Sequence, residues 1–398
     1  MAALDLAHHW ALDPSIDYLN HGSFGNCPTA VLEVQSDLRR RMERAAVRFL
    51  HRELEGELDR ARAALAAFLG ARPEDVAFVP NATAGVNTVL RSLEFAAGDE
   101  LLTTDQEYNA SRNALDFVAR RAGATVVVAN VPFPSAGPDE VVARVLERVT
   151  PRTRLALIDH ISSPTGLVFP IERLARELAA RGVELLVDGA HGPGQVELDL
   201  EALGRAGVAW YTGNCHKWLC TPKGSALLWV RRDRQAAIRP LAISHGANSR
   251  RTDRSRFLLE FDWPGTCDPT PWLVIPEALR FMAALLPGGW PELRQRNRAL
   301  VLEGRRLLLA AVPQREPCPE SMVGSLAAIV LPDATAPPVA PLGLDPLQVR
   351  LFEQHRFELP LPAWPAPPRR LLRISAQLYN RREQYQRLAA VLREELSA

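Results

Sequence analysis

Cysteine is scarce in this sequence, and no long apolar run is present. The 398 residues include five cysteines, which are scattered and odd in number. This pattern argues against a disulfide framework and favours the reduced thiols of the cytoplasm. No apolar run reaches the roughly 18 residues that span a bilayer, and the N-terminus lacks the basic start and long apolar core of a signal peptide. We therefore predict a cytoplasmic protein that does not associate with membranes.

The chain also lacks an excess of charge and the common nucleotide and metal motifs. Its 47 basic and 46 acidic residues leave a formal net charge of +1, so no global field attracts nucleic acid. No Gly-x-Gly-x-x-Gly follows the first predicted strand and no Walker sequence occurs, so neither a dinucleotide nor a nucleoside triphosphate is indicated. Cys215 and Cys220 have four residues between them and no second pair, which argues against zinc. We predict no metal and no nucleic-acid partner.

Short apolar runs alternate with helical segments from about residue 70 to 230. The runs predicted as strands are 76–79, 100–103, 125–128, 155–158, 183–187, 208–211 and 226–230. This alternation predicts a doubly wound α/β fold with a mostly parallel sheet, its strands covered on both faces.

The pattern changes beyond about residue 260. Helical stretches are followed by a strand at 326–331, a proline-rich loop at 332–341, a strand at 371–374 and a terminal helix. This order predicts a smaller α+β domain. We predict a large domain over residues 15–260 and a small C-terminal domain over 261–398, which residues 1–14 join.

A lysine and an aspartate follow neighbouring predicted strands. Asp188 ends the run 183–187, and Lys217 lies in the turn after the run 208–211, one strand–helix–strand step later. Ligands of α/β sheets bind beyond the carboxyl ends of the strands. A lysine there can form a Schiff base with the aldehyde of pyridoxal phosphate (PLP), and an aspartate can hold the pyridine nitrogen protonated. Burial and a neighbouring cation, such as a protonated His216, would lower the lysine pKa.

Other strand ends carry weaker signals. The helix that starts near Thr83 suits a phosphate, although on its own it fits an ordinary helix cap better. Tyr108 is as consistent with ring stacking as with a rim position. The polar residues around Ser163 fit a buried network as well as a site. His191, three residues after Asp188, could reach the phenolic oxygen of the cofactor.

Taken in order, these motifs match a known family. They are residues 18–25, 81–83, 188–191, 214–218 and 373–375. Over about residues 18–379 the chain resembles the class V aminotransferase family of fold-type I PLP enzymes. It is most similar to the isopenicillin N epimerase-like branch and more distantly similar to cysteine desulfurases. The resemblance implies a PLP-dependent enzyme of transferase fold type I that acts on amino acids.

The resemblance also implies roles for individual residues. Lys217 is then the catalytic Schiff-base lysine, Asp188 binds the pyridine nitrogen, and Tyr108 stacks on the ring. Arg373 forms a bidentate contact with the substrate α-carboxylate. The remaining predicted cofactor contacts are Ala82, Thr83, Ser163, His191, Asn214, His216 and, from a partner subunit, Thr266. Asn20, His21 and Arg48 are further candidates for substrate contact. A phosphate site completed by the partner implies a homodimer with active sites at its interface.

The resemblance leaves several reactions open. Desulfurases carry a nucleophilic cysteine on the loop before the carboxylate arginine, whereas residues 356–362 here contain none, which argues against a desulfurase. Lys217 would remove the Cα proton of an amino acid. Reprotonation from the opposite face, for which His21 is a candidate acid, gives an epimerase, our main prediction. A C–S lyase or an aminotransferase is the alternative, and the substrate side chain is not predicted.

Overall fold

The computed structural model describes residues 6–312, 314–339 and 343–397, and in these residues a seven-stranded sheet forms the centre of the fold. The strands are β1 Asp17–Tyr18, β2 Val76–Val79, β3 Glu100–Thr104, β4 Thr125–Ala129, β5 Thr153–Asp159, β6 Glu184–Asp188, β7 Val208–Asn214, β8 Ala226–Val230, β9 Leu326–Leu331, β10 Phe357–Glu358 and β11 Arg370–Ser375. The central sheet has the order β2-β8-β7-β6-β5-β3-β4. Only the pairs that β8 makes with β2 and β7 are antiparallel, so the predicted mostly parallel sheet is confirmed.

Helices separate most of these strands along the chain. They are α1 His21–Phe24, α2 Thr29–Arg44, α3 Ala46–Arg48, α4 Leu54–Phe68, α5 Ala82–Ser92, α6 Asn109–Ala122, α7 Pro138–Leu146, α8 Ile171–Ala179, α9 Leu200–Ala206, α10 Arg256–Phe261, α11 Thr270–Leu273, α12 Ile275–Ala284, α13 Gly289–Ala311, α14 Pro346–Glu353 and α15 Arg382–Ser397. None of the helices in the described residues has both the length and the apolar composition needed to cross a bilayer.

The central strands are apolar throughout because both faces of the sheet are covered. Consecutive side chains of a strand point to opposite faces. Leu101 accordingly packs with α5 and α6, whereas Leu102 packs in the core on the other side, which includes residues of α7 and α8. In β5, Leu155 and Leu157 lie in the same core as Leu101, whereas Ala156 and Ile158 lie in the same core as Leu102. Each buried leucine contributes about 1.5–3 kcal/mol, so both layers stabilise the sheet.

Strand β4 is an exception to the prediction that the strands are covered on both faces. Its first residue, Thr125, is exposed, and the next three residues are only partly buried. The reason is its position: β4 is the last strand of the sheet and pairs with β3 alone.

The C-terminal part contains a two-stranded antiparallel ladder. β9 pairs with β11 from Leu326↔Ser375 to Leu331↔Arg370. Helix α13 packs against both strands, and α15 packs against α13. The short β10 pairs in parallel with β1, so the N-terminal segment is attached to this part. The predicted loop at 332–341 is irregular through residue 339, and its last two residues lie outside the described residues. The predicted domain limits stay a prediction.

The topology brings several polar side chains to one edge. β5, β6 and β7 are neighbours and run parallel, and Asp159 pairs with Asp188, which pairs with Thr212. The carboxyl ends of these strands therefore meet, at the position where α/β sheets bind ligands.

Candidate active site

Lys217 lies partly buried in a tight turn after β7. The turn is closed by a hydrogen bond from the Cys220 amide to the Lys217 carbonyl, 3.1 Å long. Gly25 lies against it with φ +66°, and a Cβ there would fall 1.9 Å from the His216 carbonyl oxygen. Only glycine fits this conformation and this close approach. The glycine of the N-terminal motif is thus explained by its contact with the lysine turn.

The environment of Lys217 favours a neutral amine. Burial, and next the charge of Arg373, lower the pKa of Lys217 to about 7. Its Nζ lies 3.2 Å from Nε2 of His191. The Trp218 indole N–H donates to the other ring nitrogen of His191, so the proton of the neutral imidazole resides on Nε2 and points to the lysine. An amine with a free lone pair accepts this proton, whereas an ammonium does not.

The predicted effect of burial on the lysine pKa is confirmed, but the condition that His216 is protonated is not met. Burial lowers the pKa of His216 itself to about 4, so this side chain is neutral near pH 7. Its Nδ1 donates to the Ser225 carbonyl at 3.0 Å. The cation that acts on Lys217 is instead Arg373, which is 156 residues away in the sequence and is placed here by β11.

Asp188 is buried at the end of β6 and is held by two donors. Ser111 donates to its Oδ2 at 2.7 Å and the Ala190 amide to its Oδ1 at 3.0 Å. Burial raises the pKa of Asp188, while these donors and Lys217 act against that rise. A buried carboxylate so placed suits a protonated pyridine nitrogen, because the cation would offset its desolvation. The residues at this end of the site therefore fit PLP.

The start of α5 forms the second end of the site. Asn81 caps the helix by accepting from the Ala84 amide at 2.8 Å, and Asn214 accepts from the Ala82 amide at 2.8 Å. The latter bond ties the end of β7 to the helix N-terminus, where the partial positive charge favours phosphate. Because the Ala82 amide already donates to Asn214, Thr83 and the side-chain amide nitrogen of Asn214 are better placed to donate to a phosphate. The phosphate roles of these residues and of His216 stay predictions.

Arg373 is buried without an acidic partner. One terminal nitrogen donates to the Ser163 carbonyl and the other to the Ser23 hydroxyl, at 2.9 Å. Its Nε has no partner, and no carboxylate in the described residues forms an ion pair with it. Burial lowers the pKa of Arg373 to about 10. A buried guanidinium without a counter-ion is costly, so this geometry fits an anionic ligand such as a carboxylate.

The contacts of Arg373 refine two predictions. Ser163, predicted as a cofactor contact, accepts from Arg373 through its carbonyl and its hydroxyl. Asn20, predicted as a substrate contact, accepts from Ser23, which in turn accepts from Arg373. Ser23 is a site residue that the sequence does not predict, although it lies within the motif at residues 18–25.

The His21 ring is not placed to contact a substrate. Its ring is fully buried, and burial lowers its pKa to about 3. Because the Lys217 carbonyl can only accept, Nε2 donates to it at 3.0 Å, and Nδ1 accepts from the Tyr379 hydroxyl at 2.8 Å. His21 therefore holds the backbone of the lysine turn. The prediction that it contacts the substrate or serves as a second acid does not fit this placement.

Three further predicted residues are exposed. Tyr108, at the start of α6, has 47% of its surface exposed. Arg48 forms an ion pair with Glu53 on the surface. Thr266 lies in the exposed loop after α10. In the described residues of this chain, neither Arg48 nor Thr266 has a hydrogen bond or ion pair with another site residue. Their roles stay predictions.

Known proteins resemble this chain over most of its length. A model of the family described as aminotransferase class V matches residues 18–285. Isopenicillin N epimerase of Amycolatopsis lactamdurans is 37% identical over 96% of this chain and 96% of its own length. The probable chloroplastic L-cysteine desulfhydrase of Arabidopsis thaliana is 31% identical over 96% of this chain and 83% of its own length.

A solved structure shares the fold. The cystine C–S lyase C-DES, in complex with its product cysteine persulfide, has a TM-score of 0.77 and 22% identity, and the match covers 95% of this chain and 97% of that chain. A mutant of C-DES with glycine covalently linked to its PLP cofactor gives a TM-score of 0.74. The predicted PLP-dependent transferase fold type I is confirmed.

The sequence match and the geometry of the site agree. The family match covers about two thirds of the chain, and two isopenicillin N epimerases are at least 34% identical over 96% of it. A lysine whose pKa is lowered to about 7 lies at the same sheet edge as a buried aspartate. This chain belongs to the class V aminotransferase family of PLP enzymes.

Proposed function

We propose that this protein is a PLP-dependent amino-acid epimerase of the isopenicillin N epimerase type. The observation that carries the proposal is that Arg373, a buried guanidinium that has no acidic partner in the described residues, lies in the same site as Lys217, whose pKa is lowered to about 7. The first side chain would bind the carboxylate of an amino acid, and the second would accept its Cα proton. The two isopenicillin N epimerases that are 37% and 34% identical support this choice of reaction.

Each residue of the site has a defined task in this proposal. When bound, PLP withdraws electron density from the substrate Cα and makes its proton acidic. Asp188 holds the ring nitrogen protonated. Arg373 orients the substrate through its carboxylate, and the Lys217 amine removes the Cα proton. His191 donates its Nε2 proton towards the amine or the phenolic oxygen. Inversion then requires a second group that returns a proton to the other face.

Tyr108 is our candidate for that second group. It follows β3 and is exposed, while Ser111, one turn later in α6, is bonded to Asp188. The Tyr108 phenol also lies within electrostatic range of the Arg373 guanidinium. It is thus near both the ring-nitrogen end and the carboxylate end of the site, and its hydroxyl can transfer a proton. By the resemblance, Tyr108 would stack on the cofactor ring and so lie beside the reacting part of the substrate.

Tyr108→Phe is expected to separate proton exchange from inversion. The variant should still exchange the Cα proton with solvent through Lys217, within a few-fold of the unmodified rate. Epimerisation should fall by about 10²–10⁴, the usual contribution of a general acid. Both rates are measured in D₂O, by mass spectrometry and by chiral chromatography. Tyr18→Phe is the matched control, because the Tyr18 hydroxyl also lies near Arg373 but already donates to the Asn20 carbonyl. Unchanged inversion in Tyr108→Phe would exclude this role.

A C–S lyase is the second candidate function. The relatives named as cysteine desulfhydrases, 31% identical in one case, favour it. An amino-acid panel in D₂O, with isopenicillin N and L-cysteine included, distinguishes the reactions. Inversion with one solvent deuterium at Cα indicates an epimerase, and pyruvate, ammonia and sulfide from cysteine indicate β-elimination. An aminotransferase would instead need an added oxo acid and would form its amino acid. Absence of inversion with every substrate would reject the epimerase proposal.

We also propose a cytoplasmic homodimer. In the described part of the chain the five cysteines are free thiols, which suits a reducing compartment. Phe24, Val47 and Ile243 are each more than 60% exposed, which suits a contact with a second subunit. Thr266, exposed and away from the other site residues, would reach the partner's phosphate. Light scattering should give twice the chain mass, and Thr266→Ala should weaken PLP binding in the dimer. A monomer that binds PLP with full affinity would contradict the proposal.

A further inference from the structure

Three buried carboxyl groups meet at the carboxyl ends of β3, β5 and β6. They belong to Glu107, Asp159 and Asp188, and one oxygen of each lies within 4.8 Å of the others. Asp159 and Asp188 end adjacent strands and are paired in register. Glu107 follows β3 and directly precedes Tyr108. Family resemblance gives Asp188 a role at the ring nitrogen, but it assigns none to the other two.

The hydrogen bonds to this cluster are unequal. Asp188 accepts from Ser111 and from the Ala190 amide. In the described part of the chain neither carboxylate oxygen of Glu107 nor Oδ2 of Asp159 has a hydrogen bond of good geometry, although both residues are at least nine-tenths buried. The Tyr108 amide and the Thr103 hydroxyl act on Glu107 only as weak donors, which do not outweigh its burial. An ionised carboxylate without donors loses its hydration and gains nothing in exchange. Two more negative charges beside Asp188 would also repel one another.

The other titratable groups around the cluster do not supply a compensating cation. Lys217 acts on Asp159 and Asp188, but its own pKa is about 7, so it is only about half protonated near pH 7 and is not a full counter-charge. Burial lowers the pKa of His160 to about 4 and raises that of Tyr211, so both are neutral near pH 7, as is His191. Asp188, which has two hydrogen-bond donors, can therefore be ionised at low cost, whereas Glu107 and Asp159 cannot.

We propose that Glu107 and Asp159 are positioning residues that stay protonated in the working enzyme and leave Asp188 as the only negative charge facing the pyridine nitrogen. Their acid O–H groups are then available as donors within the cluster, and one carboxylate matches one pyridinium. Burial and the neighbouring carboxylates raise the pKa of Glu107 and that of Asp159 well above their ordinary values, in agreement with this geometry. The inference rests on the PLP-binding part of the proposed function and not on which reaction follows.

Amide substitutions test the protonation states. Glu107→Gln and Asp159→Asn replace a neutral acid by a neutral group of similar shape, so the PLP dissociation constant should change by about threefold or less. Asp188→Asn removes the ionised partner and should raise that constant by about a hundredfold or more. The constants are measured by absorbance titration of each apoenzyme. If Glu107→Gln and Asp159→Asn weaken PLP binding as strongly as Asp188→Asn does, the proposal is wrong.

Infrared spectroscopy tests the same idea without relying on a folded variant. The unmodified holoenzyme should show carbonyl bands of buried protonated carboxyl groups in D₂O near pH 7, and each folded amide variant should lose one of them. Absence of these bands from the unmodified holoenzyme would overturn the proposal. So would Mn²⁺ binding that Glu107→Gln abolishes, since a cation site needs ionised carboxylates. No readout uses epimerase activity, so failure here leaves the proposed reaction untouched, and failure of the reaction leaves this result intact.

Discussion

Replacing Lys217 by alanine is expected to lower turnover by about four orders of magnitude or more, because the variant lacks both the covalent anchor and the base. The chain contains only two lysines, Lys217 and Lys223. Borohydride reduction of the holoenzyme should therefore attach the cofactor to one peptide, the one that contains Lys217. Mass spectrometry of the digest identifies it, and in Lys217→Ala both the reducible absorption band and the labelled peptide should be lost.

The second lysine provides the control. Lys223 is six residues away and donates to the Gly25 carbonyl at 2.7 Å, a structural contact that arginine can also make. Lys223→Arg should keep the label on Lys217 and a turnover within a few-fold of the unmodified enzyme. A label on Lys223, or substantial turnover by Lys217→Ala, would refute the lysine assignment.

Replacing Arg373 by glutamine is expected to lower kcat/KM by roughly a hundredfold or more. A bidentate, charge-assisted contact with a carboxylate contributes about 3 kcal/mol, and each 1.4 kcal/mol corresponds to tenfold. Arg373→Lys should recover only part of the loss, because it keeps the charge but not the fork. Steady-state kinetics with the best substrate of the panel measure both effects. The effect should shrink when that substrate is offered as its carboxamide, which no longer carries the charge that Arg373 binds.

Arg369→Gln is the matched control for this position. Arg369 precedes β11 and is exposed, so the same change of residue there should leave kcat/KM within a few-fold. Equal losses in the two variants would mean that the substrate carboxylate is not bound by Arg373.

The positions of Lys217 and Asp188 could be predicted because they depend on local pattern and topology. The apolar runs 183–187 and 208–211 locate the ends of β6 and β7 to within one and three residues, respectively. The parallel order of the sheet makes those ends neighbours. The long-range contacts could not be predicted. The bond between Arg373 and Ser23 joins atoms 350 residues apart, and no periodicity in the sequence encodes it.

His21 and His216 show a second limit. Their position in polar motifs predicts that these residues lie in the site. It does not predict whether a ring faces the ligand or the protein interior. His21 forms a hydrogen bond with the Lys217 carbonyl, and His216 is desolvated and therefore neutral. Protonation and orientation depend on burial, which is set by segments distant in sequence.

The lysine turn is supported from both ends of the chain, and this constrains when the enzyme can acquire its cofactor. Gly25 and His21, in the N-terminal part of the chain, contact the turn. The His21 ring is held by Tyr379, which lies 358 residues later in the sequence. Contacts of such large sequence separation form late. We therefore expect PLP capture to follow the packing of the segment around Tyr379 against the lysine turn.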